Sequence, residues 1–242
     1  MQPVFLTAHW QKLIMANYTL PPALLQDYLP PGTALDYYKG QCYVSLVGFL
    51  FADTKIMGVG IPFHRTFEEV NLRFYVRYQE AGEWKRGTVF ISEIVPKPAI
   101  SLVANTLYGE HYNTRPMRHH WAKQGQSLSV AYEWKHRGKW NRLAVEAEDR
   151  PEALAEGSEE QFIAEHYWGY TKRRRGGSSE YRVEHPSWTT LPVRSYEIVC
   201  DGHSLYGPAF GEVLEQTPSS VFLANGSAVQ VRRGRHLPKA TT

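Results

Sequence analysis

Three stretches of this 242-residue chain hold side chains whose types and spacing could do chemistry. The first is Ser101–Met117 (SLVANTLYGEHYNTRPM), which begins like an apolar helix, meets Gly109, and then crowds Glu110, His111, Tyr112, Asn113 and Arg115 together. The second is Glu68–Tyr75 (EEVNLRFY), where a carboxylate adjoins a strand face bearing arginine and tyrosine. A carboxyl group held inside a cavity there would be paired and shifted in its titration. The third is Glu165–Tyr170 (EHYWGY), a histidine among aromatics that would wall a ligand pocket. Each has a plainer reading: a polar loop, a surface salt bridge and a piece of core.

Other motifs are absent. The chain has no Gly-rich phosphate loop with lysine, no GxSxG elbow and no HExxH. His119-His120 are neighbours, and adjacent strand residues point to opposite faces, so no metal site is expected. Cys42 and Cys200 have neither disulfide nor zinc spacing and read as free thiols in a reducing compartment. The N-terminus lacks the pattern of a secretory signal, and no apolar run approaches the roughly 20 residues of a membrane helix. A soluble cytoplasmic protein is expected.

The net charge of +3 is too small to argue for nucleic acid. Its excess sits in two runs, Lys172–Arg175 and Arg232–Arg235, without aromatics spaced for base stacking. A basic surface for nucleic acid or membrane is nevertheless one reading to be tested.

The elements that must position these groups are mostly strands. Aromatic residues make up 13% of the chain and favour strands as well as pockets. From Val70 onward β-type alternation puts Val70, Leu72, Phe74 and Val76 on one face and Asn71, Arg73, Tyr75 and Arg77 on the other. In a closed barrel the polar face would look into the lumen. Further strands are expected at Ala8–Tyr18, Gln41–Phe51 in a hairpin with Leu35–Tyr38, Thr88–Val95, Ser127–Trp134, Trp140–Ala147, Tyr181–Glu184, Arg194–Cys200 and Val221–Val231. Gly82–Gly87 reads as a hairpin tip.

Proline brackets a short helix at 21–31 with Leu24, Leu25 and Tyr28 buried. A helix over Ala99–Leu107 ends at Gly109. Another covers Ser158–Tyr170, capped by Ser158 with Gln161 as reciprocal partner, and a third is possible at Gly207–Glu215. Lys172–Ser179 is expected as a loop and 232–242 as a basic, frayed tail. The sum is α+β and mainly antiparallel β, curled or closed, in a single domain over residues 1–231.

The order of Trp10–Tyr18, Leu24–Pro30, Gly32, Leu35-Asp36, Gly40–Phe49, FEEVNLRFYV (67–76), Tyr112, Met117, FIAEHYWGY (162–170) and His185–Trp188 resembles the YqjF-like family of uncharacterised bacterial proteins, within the acetoacetate decarboxylase-like superfamily. The resemblance implies a cone-shaped antiparallel β-barrel with an interior pocket and two or three peripheral helices. It also implies the place of a Schiff-base lysine and its lysine neighbour in the decarboxylase branch, near Tyr112 and Asn113. Neither residue is a lysine, and Lys97 and Lys123 lie outside the matching motif, so imine chemistry does not carry over. Glu69 falls where that branch keeps a pocket glutamate.

The expected protein binds a small molecule, such as an organic acid, without a cofactor or metal. Glu69, Arg73, Tyr112, Arg115 and Trp168 are its ligand-binding candidates. Arginine suits a carboxylate-bearing ligand because a guanidinium matches carboxylate geometry. If the protein is a general acid–base enzyme (a hydratase, isomerase or lyase), Glu69 or His166 carries the proton.

Overall fold

The alternation on the segment after Phe67 is the pattern the fold is built around. The structure is a computed structural model that describes residues 2–107, 111–173 and 176–237. In chain order its strands are β1 (Val4–Leu20), β2 (Thr33–Leu35), β3 (Cys42–Ile56), β4 (Phe67–Glu80), β5 (Glu83–Val95), β6 (Tyr112–Thr114), β7 (Met117–Gln124) and β8 (Ser127–His136). Then come β9 (Lys139–Glu148), β10 (Glu152–Ala153), β11 (Trp168–Lys172), β12 (Ser178–Glu184), β13 (Thr189–Leu191), β14 (Val193–Val199), β15 (Ser220–Arg232) and β16 (Arg235–His236). Helices are short: a 3-10 helix at Pro22–Tyr28, α1 (Pro98–Leu107), α2 (Glu159–Ala164), α3 (Gly202–Tyr206) and α4 (Pro208–Leu214). None among the described residues is long and apolar enough to cross a membrane.

The strands form a 12-stranded and a 4-stranded sheet. The larger follows β15-β1-β3-β4-β5-β11-β12, and β12 pairs again with β15 through Val183–Val231, so the pairings return to their start as a ring. The ring is antiparallel except where β11 joins β5. The smaller sheet, β14-β9-β8-β7, is antiparallel throughout.

β4 serves two cores. Val70, Leu72, Phe74 and Val76 bury against Val130, Tyr132, Trp134 and Leu143 of the smaller sheet. Gly48 on β3 allows this approach, since a Cβ there would stand 3.1 Å from the Tyr132 ring. On the other side a second cluster gathers Leu13, Met15, Phe49, Phe51, Tyr75 and Trp188. Phe162, Ile163 and Ala164 of α2 join it, so α2 packs into this inner cluster rather than lying peripherally.

Several expected elements differ. The helix expected to Tyr170 ends at Ala164. Ser158 Oγ accepts from the Gln161 amide at 3.1 Å, but the Gln161 side chain returns to the Gly157 amide rather than to Ser158. Trp168–Lys172 is strand, as its β-branched and aromatic residues prefer. Pairing of β4 with β5 continues to Glu80–Glu83, because Ala81 and Gly82 both take positive φ and close a tight two-residue turn. Glu83–Gly87 is therefore strand and not hairpin tip.

The hairpin of Leu35–Tyr38 with β3 is reduced to one bridge, Tyr38–Gln41, and β2 pairs with β4 instead. In the 3-10 helix only Leu25 is buried; Tyr28 is exposed, with its ring edge on Phe210. Lys172, Ser178 and Ser179 of the expected basic loop lie in β11 and β12, while Arg174 and Arg175 are outside the described residues. In the expected tail, Arg235 and His236 pair with β12 and Leu237 is buried; residues 238–242 are outside the described residues. Cys42 and Cys200 are free thiols.

Candidate functional site

Below the polar face of β4 lies a cavity of about 200 Å3. Glu69, Asn71 and Arg73 point into it at alternate positions, as period-two geometry requires. Phe49, Phe51, Phe67, Trp10 and Trp188 supply much of the apolar wall. Tyr75, next on the same face, is buried and shares a 2.6 Å hydrogen bond with Ser45 Oγ. Arg77 lies beyond, with its guanidinium 4.4 Å from the Trp84 ring centre.

Glu69 is 3% exposed. Its Oε1 accepts from Asn71 Nδ2 at 2.9 Å, and its Oε2 accepts from the Tyr112 hydroxyl at 3.1 Å. Burial pushes the carboxyl up to about 7, against the opposing pull of the two hydrogen bonds and of nearby Arg73. A carboxyl group in this state can give or take a proton near neutral pH.

Arg73 is 7% exposed, and its nearest partners are poor ones. One guanidinium nitrogen lies 3.5 Å from the Ile163 carbonyl and 3.8 Å from the Met15 sulfur. Nε has no hydrogen-bond partner, and no carboxylate forms an ion pair with Arg73 among the described residues. Burying a cation without a direct ion pair is costly, and an anion entering the cavity would offset that cost.

His166 is held from behind. Its Nε2 lies 3.1 Å from Asp36 Oδ2, the same oxygen that accepts from Arg86 Nε at 2.7 Å. Burial lowers the imidazole to about 4, outweighing the Asp36 hydrogen bond, while His166 and Arg86 hold the Asp36 carboxyl below its ordinary range in spite of its burial. At neutral pH the ring is uncharged, so Nε2–H donates to Asp36 and Nδ1 keeps its lone pair. His166 is thus a weak base. Nearby, His185 stacks on Trp188 at 4.1 Å, and both line the cavity.

Glu69, Arg73, Tyr112 and His166 are brought together around one space. Arg115 and Trp168 are not. Arg115 follows β6, its amide donating to the Val95 carbonyl, and it does not line the cavity. Trp168 lines a different pocket, because its segment is strand rather than the end of a helix. Tyr108, Gly109 and Glu110 lie outside the described residues.

Two carboxylates at the site, one in the cavity wall and one behind it, were not among the candidates expected from sequence. Glu93, on β5, is 2% exposed and lines the wall beside Tyr112. It shares the cavity with Thr88 and Phe90 only because Ile91 is bulged out between them: Leu72 pairs with Ser92 and Arg73 with Phe90. Asp36, behind His166, is the other. No lysine lines the cavity among the described residues, and Asn113, beside Tyr112, is exposed with its amide 3.3 Å from Ser92 Oγ. Of the basic runs, Arg232 pairs with Glu184, and Arg235 with Glu80 and Glu180.

Comparisons with known proteins agree with this architecture. The family DUF2071, described as an uncharacterized conserved protein, matches residues 7–228. The uncharacterized protein YqjF of Bacillus subtilis (strain 168) is 25% identical over 204 residues, covering 82% of this chain and 81% of its own. Among solved structures, the enduracididine biosynthesis enzyme MppR complexed with pyruvate has a TM-score of 0.68 at 12% identity, covering 100% of this chain and 93% of its own. Acetoacetate decarboxylase from Legionella pneumophila gives 0.65 at 14%, covering 99% and 90%. An acetoacetate decarboxylase-like enzyme from Sphingomonas wittichii RW1 gives 0.66 at 13%, covering 98% and 94%. These likenesses show an acetoacetate decarboxylase-like fold.

Proposed function

The chain belongs to the DUF2071 family of uncharacterized conserved proteins, and we propose that it binds a small organic acid in a barrel formed by the ring of strands, without imine chemistry. The observation that carries this reading is Arg73, a buried guanidinium with no ion pair among the described residues. The acid's carboxylate meets Arg73, and its apolar remainder rests on Phe49, Phe51 and Trp188. Glu69, Asn71 and Tyr112 form the polar side. That the structurally similar MppR is complexed with pyruvate supports an acid of this kind.

The test is a thermal-shift and calorimetric screen of small carboxylic acids against their amides, on the wild type and on Arg73→Met. Acids stabilise the wild type and not the variant. Amides binding as well as the acids would overturn the reading. Borohydride added with pyruvate or acetoacetate leaves no adduct on the protein; a trapped lysine would restore imine chemistry.

A second reading makes the protein a general acid–base enzyme: a hydratase, isomerase or lyase. It is favoured by one observation, a cavity carboxyl raised to about 7 and hydrogen-bonded to Tyr112. Glu69 is then the proton carrier in preference to His166, whose ring is too weak a base at neutral pH. Once a turned-over acid is found, Glu69→Gln removes turnover while preserving binding. Full turnover in that variant would exclude Glu69.

A further inference from the structure

A second cavity, of about 460 Å3, opens where β5, β11, β12, β15 and β16 meet. Lys85, Arg182, Arg232, Arg233 and Arg235 line it. Three carboxylates hold four of these cations. Glu180, 1% exposed, takes Lys85 at 3.2 Å and Arg235 at 2.6 Å. Glu80 pairs with the same two, and Glu184 takes Arg232 at 2.9 Å and Arg182 at 3.4 Å. Among the described residues, five lining cations face three carboxylates, Glu80 and Glu180 in the lining and Glu184 paired beside it, which leaves two positive charges unmatched. Arg233 is exposed and makes no ion pair among the described residues.

Trp168 gives the pocket a flat apolar surface. Lys85 Nζ lies 4.0 Å and the Arg182 guanidinium carbon 5.7 Å from its ring centre. Tyr181 lines this pocket and the β4 cavity alike. Gly169 makes room for that ring: a Cβ there would stand 2.1 Å from Tyr181 Cζ.

We propose that this pocket is a second binding site, for a small dianion such as a phosphate ester or a dicarboxylate. The charge count sets the valence, since two negative charges neutralise the surplus. The carboxylates set the geometry. By holding four basic side chains in place beforehand, they spare the ligand much of the ordering cost of long flexible groups. Guanidinium forks then meet phosphate or carboxylate oxygens in pairs. A long polyanion fits less well, because Glu80 and Glu184 repel any charge carried past the pocket.

The test is calorimetry on the full chain at pH 8 and constant ionic strength, with methyl phosphate in one arm and malonate in the other. One or both bind saturably, and the stronger arm identifies the anion. Arg182→Gln with Arg233→Gln weakens binding about tenfold or more. Arg233→Gln alone, which breaks no ion pair of the network, gives a smaller loss and guards against misfolding of the double variant. Arg73→Met leaves the methyl phosphate arm unchanged, which separates this site from the β4 cavity. No saturable binding, methyl phosphate binding lost in Arg73→Met, or binding only to DNA or to phosphatidylserine vesicles would each overturn the proposal.

Discussion

Arg73 on β4 and Arg235 on β16 belong to the same sheet and have opposite surroundings. Arg73 is buried against a sulfur and a carbonyl, with no ion pair among the described residues. Arg235 is 41% exposed at its side chain and shares Glu80 and Glu180 with Lys85. The first arginine is a cost carried by the fold, and the second is mainly a geometric constraint. An unpaired buried charge therefore points to a ligand more strongly than a rich network of exposed ones. In the second pocket it is the surplus, not the pairs, that points to an anion.

The largest effect should come from the buried arginine. Arg73→Met abolishes the carboxylate contact and lowers affinity for the bound acid about a hundredfold, read by calorimetry. Stability in a denaturant melt holds or rises by about 1 kcal/mol, since removing an uncompensated buried charge relieves the fold. A large loss of stability with affinity intact would invert the comparison.

Next in size is the partition between the two cavities. Gly169→Ala must displace the Tyr181 ring and costs about 1–3 kcal/mol, as overpacking does. The same melt measures it, and an unchanged midpoint would show that the ring moves freely.

The pH dependence sharpens the contrast further. Glu69 is raised to about 7 in the fold, so the native state keeps its proton longer than the unfolded chain, and stability falls as pH rises from the ordinary carboxyl range to about 7. His166 is lowered to about 4, so the unfolded chain takes up the proton first, and stability is lost as pH falls from the ordinary imidazole range to about 4. The two slopes oppose each other between pH 5 and 6.5, each at most about 1.4 kcal/mol per pH unit. Glu69→Gln therefore makes stability climb more steeply with pH there, and His166→Asn makes it fall. Parallel profiles for both variants would show that neither titration is coupled to folding.

The smallest effect belongs to the exposed network. Arg232→Gln breaks a pair with Glu184 and shifts the denaturant midpoint only slightly, a loss that salt masks. A larger, salt-independent loss would mean that the network is structural in its own right.

How much of this was legible in sequence varies by element. The two-faced strand from Val70 was readable because neither packing nor pairing interrupts its alternation, and it carried Glu69, Asn71 and Arg73 with it. Glu93 was hidden by the bulge at Ile91, which reverses the side that later residues face. Asp36 was hidden because its role depends on His166, far along the chain. Trp168 was misplaced because a helical reading ran through Glu165, where the backbone turns to strand. His185 and Trp188 stand in one of the segments that carry the family resemblance, but nothing in their order says that they stack beside a cavity.

The ring of pairings has a consequence in time. β1 lies between β3 and β15, with Val4 opposite Arg232. During synthesis β3 emerges soon after β1 and can pair at once, whereas the other edge of β1 waits for β15, which is made after every other strand of the ring. Until then a long strand presents unpaired amides and carbonyls, the kind of edge that recruits strands from other chains. Maturation of this protein should therefore be paced by its last strands, and crowded overexpression, rather than heat, should be where it fails first.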